Sequence, residues 1–546
     1  MKASDLFVEA LENEGVEYIF GVPGEENADV MMSLLDSPIK FIICRHEQGA
    51  AFMADVYGRL TGKAGVCLGT LGPGATNLIT GVADANMDRA PLVALTGQAD
   101  TRRFHKESHQ MMDVVGMFRP VTKWAQSILH PDNIPEVIRK GFKIASLEKP
   151  GAVHIELPED IAERQSSSTP IRHHKLRRPA PDHKSVQRVL DLLAAAETPL
   201  LLVGNGCVRK RAAAQLNRFV ETTGIYAANT FMSKGALSYK HDRSLLTVGL
   251  GSRDHVTEAF DRADLIVAVG FDLVEYHPKI WNQSNTRIVH IDFLPAEIDE
   301  HYRVDCEVVA DLAESLWAIN EGLTDKHKWE TPTFARLRKR ILEDLSYDSE
   351  DGEYPMKPQR ILSDVRKVME PLDILLSDVG AHKMWVARQY QCEEPNTCLI
   401  SNGFCSMGFA LPGVIAAKMV HPDRRCLAIC GDGGFMMNVQ ELMTAVQYKI
   451  PAVTLIWEDG SYGLIGWKQE ARFGKTSHTE FVNPDFVALT DAMGGKGFRV
   501  ESPEDLIPTL EAAFAVDDRP SVVVVPVDYS QNMKLTKRLG ELVFTE

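Results

Sequence analysis

Short apolar runs alternate with helix-patterned stretches along nearly the whole chain, and that alternation confines it to parallel sheets covered by helices. A first block, residues 1–165, carries the strand candidates EYIF, FIIC, GVCL, LVALTG and AVHIEL. It closes on QSSSTPIRHHKLRRPAPDHK, a linker by its Ser, Pro and basic content. A second block, residues 185–345, carries PLLLVG, DLIVAVG, RIVHID and CEVVAD. Beyond the linker LSYDSEDGEYPMKP, a third block, residues 357–546, carries ILLSDVG, CLAIC, AVTLIW and SVVVVPV. The expected fold is therefore α/β in three domains, each a mainly parallel sheet flanked by helices. The first and third blocks share an organisation that suggests two related halves.

A chain of 546 residues has ample material for such cores. Its formal charge of −16, spread along the chain, argues against nucleic acid or an anionic membrane as partner and points to a small-molecule ligand. The nine cysteines show no metal-ligand spacing and read as buried thiols in a reducing compartment. The opening MKASDLFVEALENEG reads as an amphipathic helix, with no signal peptide or membrane span, so the expected location is the cytoplasm.

Two acids pose the chemical question. Asp432 follows CLAIC and Asp459 follows AVTLIW, at the same point of two successive units. Residues just beyond parallel strand ends face one crevice, where ligands bind. If the two runs are neighbours their ends lie roughly 5 Å apart, so both carboxylates reach one Mg²⁺, whose ligand distance is roughly 2.1 Å. Gly431, Gly433 and Gly434 let backbone amides approach a ligand, and a helix expected to start near Asn438 aims its positive end at the same place. A metal and free amides suit a diphosphate. Taken singly, Asp432 reads first as a helix cap and Asp459-Gly460 as a tight turn; the paired placement reverses that preference.

The Gly-Asp-Gly at 431–433 followed by Asp459 resembles a thiamine diphosphate motif, and the likeness extends over nearly the whole chain. FGVPGEEN (20–27), RHEQGAAFMADVYGRLTGKAGV (45–66), TLGPGATNLITGVADANMD (70–88), SDVGAHKMWVA (377–387) and SNGFCSMGFALPG (401–413) resemble acetolactate synthases, also called acetohydroxyacid synthases. The resemblance implies that Glu47, at a strand-to-helix junction, hydrogen-bonds the aminopyrimidine of thiamine diphosphate and promotes loss of the thiazolium proton. Gly21 and Pro23 then line the aminopyrimidine, Thr70 and Asn77 stand on the pyrimidine side, and Gln110 faces the reacting centre. Met407 wedges the cofactor into its bent form. Gly380 and His382 contact the diphosphate, and Asp432, Asp459 and the Ser461 carbonyl hold Mg²⁺.

The chain also departs from the biosynthetic pattern. Ala381 and Lys383 stand in G-A-H-K where that branch has G-Q-H-Q, and Asp459-Gly460 stands where it has Asn-Asn. VGFDLVEYHPKIW (269–281) resembles the V-E-Y-x-P stretch of the catabolic, FAD-independent branch rather than the R-F-D-D-R of FAD-binding relatives. VGNG (203–206) lacks a full dinucleotide fingerprint. His109 also resembles the catabolic branch, whereas Lys468 matches neither branch and leaves acceptor choice open. The implied reaction is decarboxylation of pyruvate and its joining to a second 2-ketoacid, giving 2-acetolactate or 2-aceto-2-hydroxybutyrate, in a homodimer or homotetramer with sites between chains. The alternative is a related carboligase or 2-ketoacid decarboxylase with another acceptor.

Overall fold

Three six-stranded parallel sheets make up the computed structural model, which describes residues 1–174, 177–209, 211–249 and 255–532. Residues 175–176 of the first linker, residues 210 and 250–254 of the second block, and residues 533–546, assigned by sequence to the third block, lie outside the described residues. The first sheet comprises β1 (Tyr18–Gly21), β2 (Lys40–Ile43), β3 (Gly65–Gly69), β4 (Leu92–Gln98), β5 (Trp124–Ser127) and β6 (Ala152–Pro158). The second comprises β7 (Pro199–Val203), β8 (Tyr226–Asn229), β9 (Ser244–Thr247), β10 (Leu265–Val269), β11 (Arg287–Asp292) and β12 (Val304–Val309). The third comprises β13 (Ile374–Ser377), β14 (Cys398–Ile400), β15 (Cys426–Gly431), β16 (Val453–Glu458), β17 (Lys496–Arg499) and β18 (Ser521–Pro526).

The strand orders are β2-β1-β3-β4-β6-β5, β12-β11-β10-β7-β8-β9 and β14-β13-β15-β16-β18-β17. The first and third are the same order with the strands renumbered, as their shared sequence organisation suggested. The middle sheet has the doubly wound order of dinucleotide-binding folds. Central strands such as CLAIC and VVVV are buried on both faces, which is why they read as continuous apolar runs. Five strands without such a run, WAQS, YAAN, SLLT, CLI and KGFR, were not legible in the sequence; all but YAAN lie at sheet edges. Among the described residues no helix is long and apolar enough to cross a membrane.

First and third blocks share one apolar core, in which the helix Glu47–Thr61 lies along the helix Ala410–Val420. Phe52 meets Phe409 edge to face, with ring centroids 5.7 Å apart. At one end of this seam the buried Arg59 donates to Asp55 at 2.6 Å, to Asp88 at 2.8 Å and to the Ile400 carbonyl at 3.0 Å. Asp84 and Asp88 in turn hold the third-block loop 401–403: Ser401 donates to Asp84 at 2.6 Å, and the Asn402 and Gly403 amides donate to Asp88. One guanidinium thus offsets a cluster of buried carboxylates and ties the blocks together. Arg59→Met keeps the side-chain volume but removes that charge, and should lower stability by roughly 3–5 kcal/mol. Thermal and chemical unfolding would show it as a lower midpoint.

Candidate active site

Each sheet has an interior point where its winding reverses, and there two neighbouring strand ends diverge and open a crevice. In the first sheet the reversal lies between β1 and β3. A Cβ on Gly21, at the end of β1, would stand 2.4 Å from the Leu68 carbonyl oxygen, and one on Gly24 would stand 2.4 Å from the Thr70 side chain. Glycine is what lets these two loops close on each other. Thr70 donates to Glu26 at 2.7 Å, and Pro23 is exposed between the two loops.

Glu47 begins the helix Glu47–Thr61 directly after its N-cap His46, whose Nδ1 accepts the Gln48 amide at 3.1 Å. The Glu47 side chain is buried, Asn77 Nδ2 donates to its Oε2 at 2.9 Å, and its Oε1 faces Gly74. Gln110 is exposed with a left-handed φ of 56°, and it covers Gly72, where a Cβ would lie 3.0 Å from the Gln110 Cβ. The structure therefore groups Gly21, Thr70, Asn77 and Glu47 around one crevice, with Gln110 over its glycine turn; His109 lies exposed beside it.

In the third sheet the reversal lies between β13 and β15, and β15 pairs with β16 so that Gly431 is opposite Trp457. His382, in the helix Ala381–Gln389, fills the gap between the two diverging loops: Cβ atoms on Gly380 and Gly431 would stand 2.6 and 3.2 Å from its ring. Burial holds its pKa down to about 3, its ring hydrogen-bonds the Asp378 backbone, and its Nε2 is buried with no partner. Asp378 is another acid just past a strand end. Its carboxyl accepts the Val379 amide at 2.7 Å and the Gly408 amide at 2.9 Å, and burial pushes its pKa up to about 7. That bond, with the one from Asn438 Nδ2 to the Gly408 carbonyl, fixes the residue that follows the half-buried Met407.

Asp432 is 1% exposed and its charge is met by four donors: the Gly433 amide at 2.8 Å on Oδ1, and the Asp459 amide at 3.1 Å, the Gly460 amide at 2.7 Å and Asn483 Nδ2 at 2.8 Å on Oδ2. The helix here runs Asp432–Met437, not from Asn438 as the sequence suggested, so Asp432 is its first residue and the Gly433 and Gly434 amides belong to its first turn. The helix holds the Gly-Gly pair because close neighbours, Tyr462 and Asp378, leave no room for side chains there. Asp459 is exposed at the crevice mouth. The protein around it, and secondly the Asp432 charge, raise its pKa to about 7, and Ser461 donates to it at 3.0 Å. Two acids that repel each other in this way favour a cation between them. Among the described residues no three His, Cys, Asp or Glu side chains form a metal cage, so a cation here needs backbone or non-acidic donors in addition.

The N-terminal and C-terminal thiamine pyrophosphate-binding domains of thiamine pyrophosphate enzymes match residues 1–117 and 378–525, and the central domain of these enzymes matches residues 186–319. The acetolactate synthase of Bacillus subtilis is 34% identical over 100% of this chain and 97% of its own. The catabolic acetolactate synthase of Raoultella terrigena is 37% identical over 98% and 97%, and a probable large subunit from Methanocaldococcus jannaschii 34% over 99% and 94%. The chain belongs to the acetolactate synthase family.

Within this acetolactate synthase family member the middle sheet carries the third reversal, between β7 and β10. Its crevice is filled from within. The carboxylate of Glu275 accepts the Asn205 amide at 3.0 Å and the Asp272 amide at 2.9 Å, and Thr230 donates to it as well. These are the strand-end amides that would face a dinucleotide phosphate. Burial pushes the Glu275 pKa up to about 7, while Asp272 is held low by Lys149 and Arg89 against its own burial.

Sequence reasoning missed Asn483, Asp378, Glu441 and Asn438. Asp378 was legible as an acid past a strand end, like Asp432 and Asp459. Glu441, whose carboxyl accepts the Arg45 and His46 amides from the first block, and Asn483 carry no local signal, because their partners lie far away in the chain. Asn483→Ala removes one of the donors holding Asp432, and should weaken any divalent-cation binding in this crevice roughly 10- to 100-fold with the fold intact. Metal titration with circular dichroism as control measures it.

Proposed function

We propose that this chain forms 2-acetolactate from two molecules of pyruvate, using thiamine diphosphate and Mg²⁺ in a site built from its first and third blocks, taken as residues 1–165 and 357–546 on either side of a central 185–345 domain. The observation that carries this is the convergence of Asp432 and Asp459 beside a buried His382 Nε2 that has no partner among the described residues, a donor set suited to a metal-bound diphosphate. Asp432, Asp459 and the Ser461 carbonyl hold Mg²⁺. The amides of Gly431, Gly433 and Gly434, with Gly380 and His382, receive the diphosphate; its negative charge favours return of a proton to the His382 ring, making Nε2 a donor. Thiamine diphosphate, when bound, supplies the electron sink for decarboxylation and carbon–carbon bond formation.

Glu47 is the proton-handling group. Asn77 fixes one of its oxygens and leaves the other for the aminopyrimidine, which Gly21, Pro23 and Thr70 line. Met407 would pack against the cofactor and Gln110 would orient the 2-ketoacid acceptor; the choice between pyruvate and 2-ketobutyrate rests on residues around Lys468. The free state of all nine cysteines supports a cytoplasmic setting.

The site is completed between chains of a homodimer or a homotetramer. Among the described residues no hydrogen bond joins Glu47, Asn77 or Thr70 to His382, Asp432 or Asp459 of the same chain, and the segment beyond Asp459 exposes Ile465, Phe473 and Val482. Glu47→Gln should bind cofactor but lose roughly 100-fold or more in turnover, the scale of one general acid–base. Subunit exchange between inactive Glu47→Gln and Asp432→Ala chains should restore part of the activity, since some mixed dimers hold one site with both acids. Verified exchange with no recovery would show that the site is not shared.

FAD is not required. Support comes from the Glu275 carboxylate, which already takes the amides of the middle crevice, so the residues present do not fit a dinucleotide phosphate. The purified protein should be colourless and fully active with thiamine diphosphate and Mg²⁺ alone; a yellow preparation carrying stoichiometric flavin would overturn this.

A further inference from the structure

Eight of the nine cysteines are buried; Cys405 is exposed. It departs from the sequence expectation of buried thiols because its backbone takes a left-handed φ of 58°, which turns the residue out of the loop 401–408. The loop itself is firmly held, by Asp88 through the Asn402 and Gly403 amides and by Ser401 Oγ, which accepts the Ser406 amide at 3.0 Å. The Cys405 thiol donates to the Asn402 carbonyl at 2.8 Å.

Behind this thiol stands Lys383, 4% exposed, whose Nζ donates to Cys405 Sγ at 3.0 Å and lies 5.7 Å from the centre of the Phe231 ring. Among the described residues no carboxylate pairs with it. A buried ammonium without a counter-anion is costly unless negative charge forms beside it, and among the described residues the group it bonds that can become anionic is the sulfur of Cys405. A cation next to an accessible thiol is the setting in which cysteine reacts as a nucleophile.

We propose that Cys405, backed by Lys383, is a hydroperoxide-sensitive thiol whose oxidation to sulfenic acid disturbs the loop leading into Met407. The sulfur attacks the terminal peroxide oxygen and an S–O bond forms as the O–O bond breaks. The thiol proton leaves with the departing oxygen, so thiol plus hydroperoxide gives sulfenic acid plus alcohol, or water from hydrogen peroxide. Sulfur is oxidised and the peroxide reduced. Lys383 stabilises the negative charge that builds on sulfur and afterwards donates to the sulfenate oxygen. Two equivalents of a small thiol return the cysteine, releasing water and a disulfide. The consequence for turnover rests on the cofactor-facing role proposed above for Met407; the oxidation itself does not.

The test treats the protein, loaded with thiamine diphosphate and Mg²⁺, with hydrogen peroxide and a sulfenate-trapping dione, and follows adducts by peptide mass spectrometry. Cys405 should carry the adduct, Lys383→Met should form it roughly tenfold more slowly through loss of one charge-assisted hydrogen bond, and Lys383→Arg should restore much of the rate. No adduct at Cys405, or equal rates in wild type and a folded Lys383→Met, would overturn the proposal. Acetolactate formation should fall in step with labelling, recover with dithiothreitol, and resist peroxide in Cys405→Ser. Labelling without loss of that activity would overturn the coupling to Met407, and a protein that forms no acetolactate at the outset would instead refute the proposed function while the labelling rates still decide the thiol.

Discussion

The crevice of the third sheet depends on one buried charge. A carboxylate as enclosed as that of Asp432 survives only because each oxygen meets polar hydrogens, and the donors come from three separate places: its own helix, the turn after β16, and Asn483. The carboxylate thereby fixes the turn that carries Asp459 and Ser461. Amides meet the Asp432 carboxylate, whereas the Asp459 pKa is raised to about 7 by the protein around it and by the Asp432 charge. A metal ion between the two acids would compensate the one that the protein leaves short of donors.

The three sheets answer the same geometric problem in three ways. A parallel sheet that reverses its winding must leave a gap between two diverging loops. In the first sheet the gap is closed by glycines packed on Thr70 and opens toward Glu47. In the third it holds the His382 ring, neutral and half-satisfied. In the middle sheet it is filled by Glu275, an internal anion on the amides that a dinucleotide fold offers to phosphate. One architecture thus carries three such crevices and fills the middle one with its own side chain.

Communication between the blocks runs through charge as well as apolar packing. Arg59 and the acids around it hold loop 401–403, the same loop carries Cys405 and Met407, and Gly408 at its end is gripped by Asp378 and Asn438. Glu441 ties the third block to the amides just ahead of Glu47. A change anywhere on this route alters how Met407 is held without touching Asp432 or Asp459.

By itself the sequence determined the layered parallel architecture, because apolar runs bounded by glycine and acids can be buried on both faces only in such sheets. It also marked Asp432, Asp459 and Glu47, since strand-end position is a local property. Edge strands such as KGFR and SLLT escaped, being short and half-polar, and are strands only because a neighbour supplies their hydrogen bonds. The tertiary structure alone decided that Asp432 starts its helix, that Asn77 holds Glu47, that Asn483 completes the Asp432 shell and that Glu275 fills the middle crevice. Each of these is a contact between segments distant in the chain, and its energy comes from satisfying a buried charge, a demand that arises only once the segments have packed and excluded water.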